Sequence, residues 1–265
     1  MRGPLFLRME VRMTDVHCHV LPGLDDGART VEDSLAMLEA AEKDGITAVV
    51  ATPHSNLQYD FHPSMVNAAL EKLCAAYTGP IEIHTGCEMH LMLTTLDQAV
   101  ADPKRFSIAQ KSYLLLELND YALFSNTEDN LKALEGAGLR IIIAHPERNP
   151  LLQSRIEMVR EWAAAGRLMQ ITAASIFGRF GKQAAKTSRE LLDAGLVHIV
   201  ASDAHDIRRR PHGMAAARTW IEENYSPDLA RLLFVDHPNA IVRGDAIDLT
   251  GFPPKLVPDR RWKLF

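Results

Sequence analysis

Residues 13–54 read MTDVHCHVLPGLDDGARTVEDSLAMLEAAEKDGITAVVATPH, and the order of patterns in this stretch decides the fold. A short apolar run, 13–17, leads into His17-Cys18-His19. A helical pattern then runs from Thr30 to Asp44, with Val31, Leu35, Leu38 and Ala41 on one stripe, and stops before Gly45, which suits a helix C-cap. A second apolar run, 46–52, closes on Thr52-Pro53-His54. This is one βα unit, with histidines where each strand stops.

The unit repeats along the chain. Apolar runs at 81–86, 113–118, 140–145, 168–172 and 197–202 read as further strands, several of them β-branched and bounded by Gly or polar residues, as buried parallel strands are. Helical patterns at Met65–Tyr77, Glu128–Ala137, Ile156–Ala165 and Lys182–Ala194 lie between them. Alternating strand and helix implies a parallel sheet with right-handed crossovers. Seven such units without a Gly-rich phosphate loop favour a single-domain α/β barrel, closed or nearly closed, while periodicity alone leaves an open doubly wound sheet as the alternative. A barrel of about 250 residues would use the whole 265-residue chain. The expected boundaries are an N-terminal extension at 1–12, the main folded domain at 13–250, and a Pro-rich tail without regular structure at 251–265.

Charge and cysteine content narrow the function classes. With 29 Lys and Arg against 34 Asp and Glu, the net charge is −5, and the one dense basic run, Arg208-Arg209-Arg210, is too short for a nucleic-acid footprint. Cys18, Cys74 and Cys87 stand at unrelated spacings, so no disulfide framework is expected and a cytoplasmic location fits. No 18 apolar residues run together, so no stable membrane insertion is expected.

The acidic and imidazole residues share one phase. Asp15 to His19 end the first strand, His54 the second, Glu88 the third, Glu117 the fourth, His145 the fifth, and Asp203 with His205 the seventh. Carboxyl ends of parallel strands converge on one face, where active sites form. His17 and His19, two apart on extended chain, can point to the same side and share a metal at about 2.1 Å. Asp203 and His205 repeat that spacing. Such mixed imidazole and carboxylate donors suit Mn²⁺, Fe²⁺ or Zn²⁺ better than Ca²⁺. Each piece alone has a plainer reading: H-x-H is common, His145 before Pro146 could cap a helix, and Glu88 or Glu117 could pair with Arg or Lys. The coincidence of phase is what argues for a site. Cys18 turns away from the ligands by alternation and reads as core, and His62, His84, His90, His198, His212 and His237 receive no ligand role.

These segments resemble a known family. Asp-Val-His-Cys-His-Val-Leu-Pro-Gly-Leu-Asp-Asp-Gly-Ala at 15–28, with Ala-Thr-Pro-His at 51–54, Gly-Cys-Glu at 86–88, Ala-His-Pro-Glu-Arg-Asn at 144–149 and Ser-Asp-Ala-His at 202–205, are similar to the PHP superfamily. Within it they look like the CpsB/CapC-like capsular polysaccharide tyrosine phosphatases of bacteria. The resemblance implies a distorted (β/α)₇ barrel holding three metals, usually Mn²⁺, with Fe²⁺, Zn²⁺ or Mg²⁺ possible at some sites. It implies hydrolysis of phosphotyrosine on proteins, the partner being a bacterial tyrosine kinase that controls exopolysaccharide synthesis.

Carried over by position, His17, His19 and Asp203 would hold the first metal, with Glu88 bridging to a second completed by Glu117 and His145. Asp25, His54 and His205 would hold the third. Arg148 and Arg210 match the phosphate-binding arginines, although Arg209 beside Arg210 leaves that choice open. Ser55 departs from relatives that often have a second His there. A phosphatase of a small phosphomonoester such as histidinol phosphate would share most of these ligands. A nucleic-acid phosphoesterase and a silent metal-bound module are the remaining alternatives. The cysteine-dependent route to phosphotyrosine needs Arg six residues after the nucleophile, and here Leu24, Pro80 and Leu93 stand at that spacing, which excludes it.

Overall fold

The computed structural model describes residues 12–253. Nine strand segments alternate with helices: β1 (Met13–Cys18), β2 (Ile46–Ala51), β3 (His54–Ser55), β4 (Glu82–Thr85), β5 (Glu88–His90), β6 (Tyr113–Glu117), β7 (Arg140–Ala144), β8 (Leu168–Thr172) and β9 (Ile199–Ala201). They form seven staves, because β2 continues into β3 and β4 into β5 across short breaks. Pro53 lacks the N–H that an unbroken ladder would need. The breaks are bridged by Thr52 N donating to Cys18 O at 2.9 Å, Gly86 N to Ala51 O at 2.8 Å, and Glu88 N to Pro53 O at 3.2 Å. His54 and Glu88 each stand just after a break.

All pairings are parallel, in the orders β1-β2-β4 and β3-β5-β6-β7-β8-β9. The ring closes where the segment after β9 meets β1. Cys18 and Ala204 form a parallel bridge, His19 N donates to Ala204 O at 2.9 Å, and Asp203 N donates to His17 O at 2.8 Å. The result is the distorted seven-stave barrel that the sequence pattern favours over an open sheet.

The helices are α1 (Val31–Lys43), α2 (Pro63–Ala76), α3 (Leu93–Ala101), α4 (Thr127–Gly136), α5 (Pro150–Gln153), α6 (Ile156–Ala164), α7 (Lys182–Asp193), α8 (Met214–Asn224), α9 (Pro227–Arg231) and α10 (His237–Arg243). A capping box starts α1: the Thr30 side chain accepts from Asp33 N, and Asp33 accepts from Thr30 N. Helix α3 is absent from the sequence reading because nine residues followed by two 3₁₀ turns give too little helical period. Helices α8–α10 lie beyond the last strand, where the strand-helix alternation stops. No described helix is long and apolar enough to cross a membrane.

Two apolar cores sit on the two faces of the staves. In β6, Leu114 and Leu116 pack outward with helix residues such as Leu131 and Leu134, while Leu115 points the other way, as strand alternation requires. Val16, Val50, Leu115, Ile142, Leu168 and Ile199 come from six different strands and cluster together, which only the inside of a ring allows. Ile241 of α10 joins them as a floor, with Val242, Ile247 and Leu249 packed against it. Two bonds fix that floor: Thr14 Oγ1 donates to Asn239 Oδ1 at 2.6 Å, and the Tyr113 hydroxyl donates to Asp245 O at 2.8 Å. The barrel is closed at its amino end and open at its carboxyl end.

The expected termini fall mostly outside the described residues: all of the 1–12 extension but Arg12, and 254–265 of the tail. The described start of the tail packs on the fold, since the Phe252 ring lies 5.1 Å from His198 and 5.4 Å from His237 between centroids.

Ile241 is fully buried. Ile241→Ala should lower unfolding free energy by about 2–5 kcal/mol in urea titrations, the usual range for truncating a buried aliphatic side chain. A change below about 0.5 kcal/mol, the size seen for surface substitutions, would mean that α10 does not support the barrel.

Candidate metal centre

Four buried side chains at the open end turn one atom each toward a common point. His17 Nε2 lies 3.2 Å from His19 Nε2, 3.2 Å from Glu88 Oε2 and 3.3 Å from Asp203 Oδ1. His19 Nε2 lies 3.3 Å from Glu88 Oε2 and 3.4 Å from Asp203 Oδ1. These separations are five of the six edges of a tetrahedron, and all four atoms lie within 4.8 Å of one another. Donors gathered this closely can share one divalent transition metal at the roughly 2.0–2.2 Å of an imidazole or carboxylate bond.

Hydrogen bonding behind the rings supports that reading. His17 Nδ1 faces Gln170 Oε1 at 2.9 Å, His19 Nδ1 faces Asp25 Oδ2 at 2.7 Å, and His205 Nδ1 faces the Asp203 carbonyl at 3.1 Å. An oxygen acceptor demands a proton on Nδ1, which leaves the Nε2 lone pair aimed at the site. Glu88 Oε2, Asp203 Oδ1, His54 Nδ1 and His205 Nε2 are buried without a hydrogen-bond partner. Unpaired buried polar atoms are costly, and a cation bound among them removes the cost. The donor set therefore fits metal ions.

Glu88 serves two groups at once. Its Oε2 belongs to the tetrahedron, while Oε1 lies 2.8 Å from His145 Nε2, and Glu117 Oε1 stands 3.8 Å from that same nitrogen. A third group gathers around Asp26: its Oδ1 is 3.3 Å from His54 Nε2 and 3.3 Å from His205 Nε2. Here the structure departs from the sequence expectation. Asp25, expected beside His54 and His205, accepts instead from His19 Nδ1, Gly27 N at 2.9 Å and His54 N at 3.1 Å, so it braces ligands from behind. Asp26 presents its carboxylate to the two imidazoles in its place. Gly27 permits the tight turn, because a Cβ there would lie 2.2 Å from His19 O.

Electrostatics follow from packing so many charges together. Burial pushes the Glu117 carboxyl up to about 8, and the charge on Glu88 adds to the effect. Burial opposes ionisation of Asp203 as well, but His17 and the nearby arginines hold it well below the usual carboxylate range. His145 falls to about 4 through burial and then through Arg148, so its imidazole is neutral and able to donate a lone pair. Among the described residues, His145 and Asp203 are also two of four non-glycine residues with positive φ, at +31° and +52°. Such backbone is uncommon and costs of order 1–3 kcal/mol, and it clusters where a side chain must be aimed.

Two guanidiniums complete the site. Arg148 Nη1 and Arg210 Nη2 both donate to Asp203 Oδ2, the oxygen not turned to the tetrahedron. Phe180 lies beneath both, 4.2 Å from the Arg148 guanidinium carbon and 5.7 Å from that of Arg210. Arg210, not the exposed Arg209, is the member of the basic run that enters the site. Glu147 does not pair with Arg148. It is buried and accepts from Thr172 N at 2.9 Å and Ser175 Oγ at 2.7 Å, which anchors the turn that carries both His145 and Arg148.

Asp26, Phe180, Gln170 and Asp15 stand in or behind the candidate site, and the sequence reading gives them no role. Asp15 accepts from Ser202 N at 2.9 Å and Ser202 Oγ at 2.5 Å, and its Oδ2 stands 3.2 Å from His212 Nδ1. His212 also meets Met37 O through Nε2, so it ties the loop after β9 to α1 and stays off the site. His90 Nδ1 is 3.8 Å from Glu117 Oε2, at the edge of the second group. Cys18 is fully buried in the outer core, and burial raises its thiol well above the usual range, as suits a packing residue.

The family model for capsular polysaccharide synthesis, CpsB/CapC, matches residues 13–243. The tyrosine-protein phosphatase YwqE of Bacillus subtilis (strain 168) is 32% identical over 257 residues, covering 96% of this chain and 99% of its own. The tyrosine-protein phosphatase CpsB of Streptococcus pneumoniae is 28% identical over 245 residues, covering 89% of this chain and 100% of its own. A solved structure from the study of YwqE and CpsB, described as metal-dependent tyrosine phosphatases, superposes with a TM-score of 0.82 at 31% identity, over 95% of this chain and 100% of that one. The chain belongs to the CpsB/CapC capsular polysaccharide synthesis family, the one that its motifs resemble.

Proposed function

We propose that the chain is a metal-dependent phosphatase that removes phosphate from tyrosine in proteins. The observation that carries the reading is the meeting of a buried set of four donors with two guanidiniums on the same carboxylate, Asp203. In this reading His17, His19, Glu88 and Asp203 hold one metal, Glu88, Glu117 and His145 a second, and Asp26, His54 and His205 a third. Mn²⁺ is the proposed ion on its fit to mixed imidazole and carboxylate donors. Bound divalent ions supply an ionised water and neutralise phosphoryl charge.

The chain's own groups do the rest. Arg148 and Arg210 offer planar donor forks that match phosphoryl oxygens, and Phe180 holds both guanidiniums at the mouth. Asp203 Oδ2 keeps them in register before a phosphoryl group arrives. Asp25 and Gln170 hold His19 and His17 in the tautomer that ligation requires. A tyrosine leaving group has a pKa near 10, so little acid assistance is required. The relatives' names support phosphotyrosine over small phosphomonoesters. The proposed partner is a bacterial tyrosine kinase governing capsule or exopolysaccharide synthesis, and the proposed location is the cytoplasm. Assaying histidinol phosphate beside a phosphotyrosyl peptide separates this reading from its nearest competitor.

Stripping metal should abolish turnover, with Mn²⁺ restoring it best among common divalent ions, and Asp26→Ala should retain fewer metal ions per chain than Asp25→Asn. Full turnover after verified metal removal would end the proposal. Arg148→Ala should keep near-normal metal content while kcat/KM falls about 10²–10³-fold, the usual loss of one donor from a preorganised site. Arg148→Lys should recover only part, since a point charge lacks the bidentate fork. Wild-type turnover in the Ala variant would remove Arg148 from the site. Cys18→Ser should keep most turnover, with some loss of stability from the buried hydroxyl; a fall beyond about a hundredfold with metals bound would contradict a packing role.

A further inference from the structure

Eight large apolar side chains are exposed among the described residues, and seven of them stand between the carboxyl end of a strand and the first turn of the next helix. Leu57 (96% exposed) follows β3, Leu93 (73%) follows β5, Tyr121 (92%) and Phe124 follow β6, Phe177 follows β8 and Ile207 follows β9. Met65, in the first turn of α2, belongs with them, and Val100 in the last turn of α3 is the exception. Segments that leave the carboxyl ends of parallel strands surround the barrel mouth, where His17, Glu88, Asp203 and the two arginines lie. The apolar residues thus form a collar around a highly polar centre. Monomers seldom concentrate exposed apolar surface in this way unless something binds there.

The position of the collar identifies the occupant. Whatever covers side chains on five separate strand-to-helix segments also covers the entrance to the site. A permanent partner on all of them would shut that entrance. The occupant consistent with a working site is one that brings the phosphoryl group with it. A groove of about 410 Å³ leads outward from Asp26 and His205 past Ile207, Met37 and Arg29, which gives a polypeptide a path away from the centre.

We propose that the collar is the docking surface for tyrosine-phosphorylated protein substrates, which are recognised by apolar contacts outside the phosphotyrosine. The inference rests on the phosphatase reading of the metal centre and names how that site selects proteins. The test compares two substrates, p-nitrophenyl phosphate and an autophosphorylated tyrosine kinase domain, on the Mn²⁺-loaded full chain. The variants are Leu57→Ser with Tyr121→Ser on one arc, and Phe177→Ser with Ile207→Ser on another.

Each pair should lower kcat/KM for the phosphoprotein about tenfold or more, mainly through KM, as removing an interface anchor does. Turnover of p-nitrophenyl phosphate should stay within about twofold, because no collar residue would enter the chemistry. Equal kcat/KM for wild type and both pairs on the phosphoprotein overturns the proposal. Parallel loss on both substrates overturns it too, since the residues would then belong to the site itself. Light scattering that shows an oligomer broken by the substitutions, with phosphoprotein turnover unchanged, assigns the collar to self-association instead. Failure of the wild type on both substrates would count against the metal-centre reading, not the collar.

Discussion

The structure is organised around two carboxylates with almost no access to water. Glu88 and Asp203 are 1% and 2% exposed, and each leaves an oxygen without a hydrogen-bond donor. An ionised carboxylate in such a place is strongly unfavourable unless a cation or donors surround it. The staves supply both kinds of partner: imidazole from β1 and the segment after it, from β3 and from the turn after β7, and guanidinium from the turns after β7 and β9. The supporting layer serves the same end, because Gln170 and Asp25 set the tautomers that let His17 and His19 donate inward. The metal centre and the fold are in this sense one solution to one electrostatic demand.

Much of this was legible in the sequence because parallel strands convert a linear phase into a spatial one. Ligand types at the ends of six predicted strands had to meet if the strands were parallel, and seven runs separated by helical patterns indicated the staves. What stayed hidden lies where no period exists. Asp25 and Asp26 are adjacent acids in an irregular turn, and only the path of that turn against His19, permitted by Gly27, decides which carboxylate faces His54. Phe180 sits in a loop whose neighbours in the chain say nothing of the two arginines above it. Gln170 did carry a signal: a polar residue within the apolar run 168–172 must find a buried partner, and His17 is that partner.

The apolar pattern ends the second and third strands at His54 and Glu88, where the structure has only breaks. The chain resumes pairing beyond each break, so β3 and β5 belong to the barrel wall. Irregular backbone at these two points has the same consequence as positive φ at His145 and Asp203: it aims a side chain that a regular strand would direct elsewhere. At these four positions the departure from ideal geometry falls on a residue of the candidate site, where the local cost is offset by the contacts that it enables.

The closing seam carries a consequence for biosynthesis. His17 and His19 lie near the beginning of the chain, whereas Asp203 and His205 arrive with the last stave, and the Asp15–Ser202 bond that locks them together spans 187 positions. Contacts of such long range form late, since the intervening chain must be ordered before they gain anything. A chain emerging from the ribosome would therefore pass through synthesis of its first six staves without Asp203, His205 or the second guanidinium. Competence arrives with ring closure, so partially made or clipped products that lack the last stave would be inert.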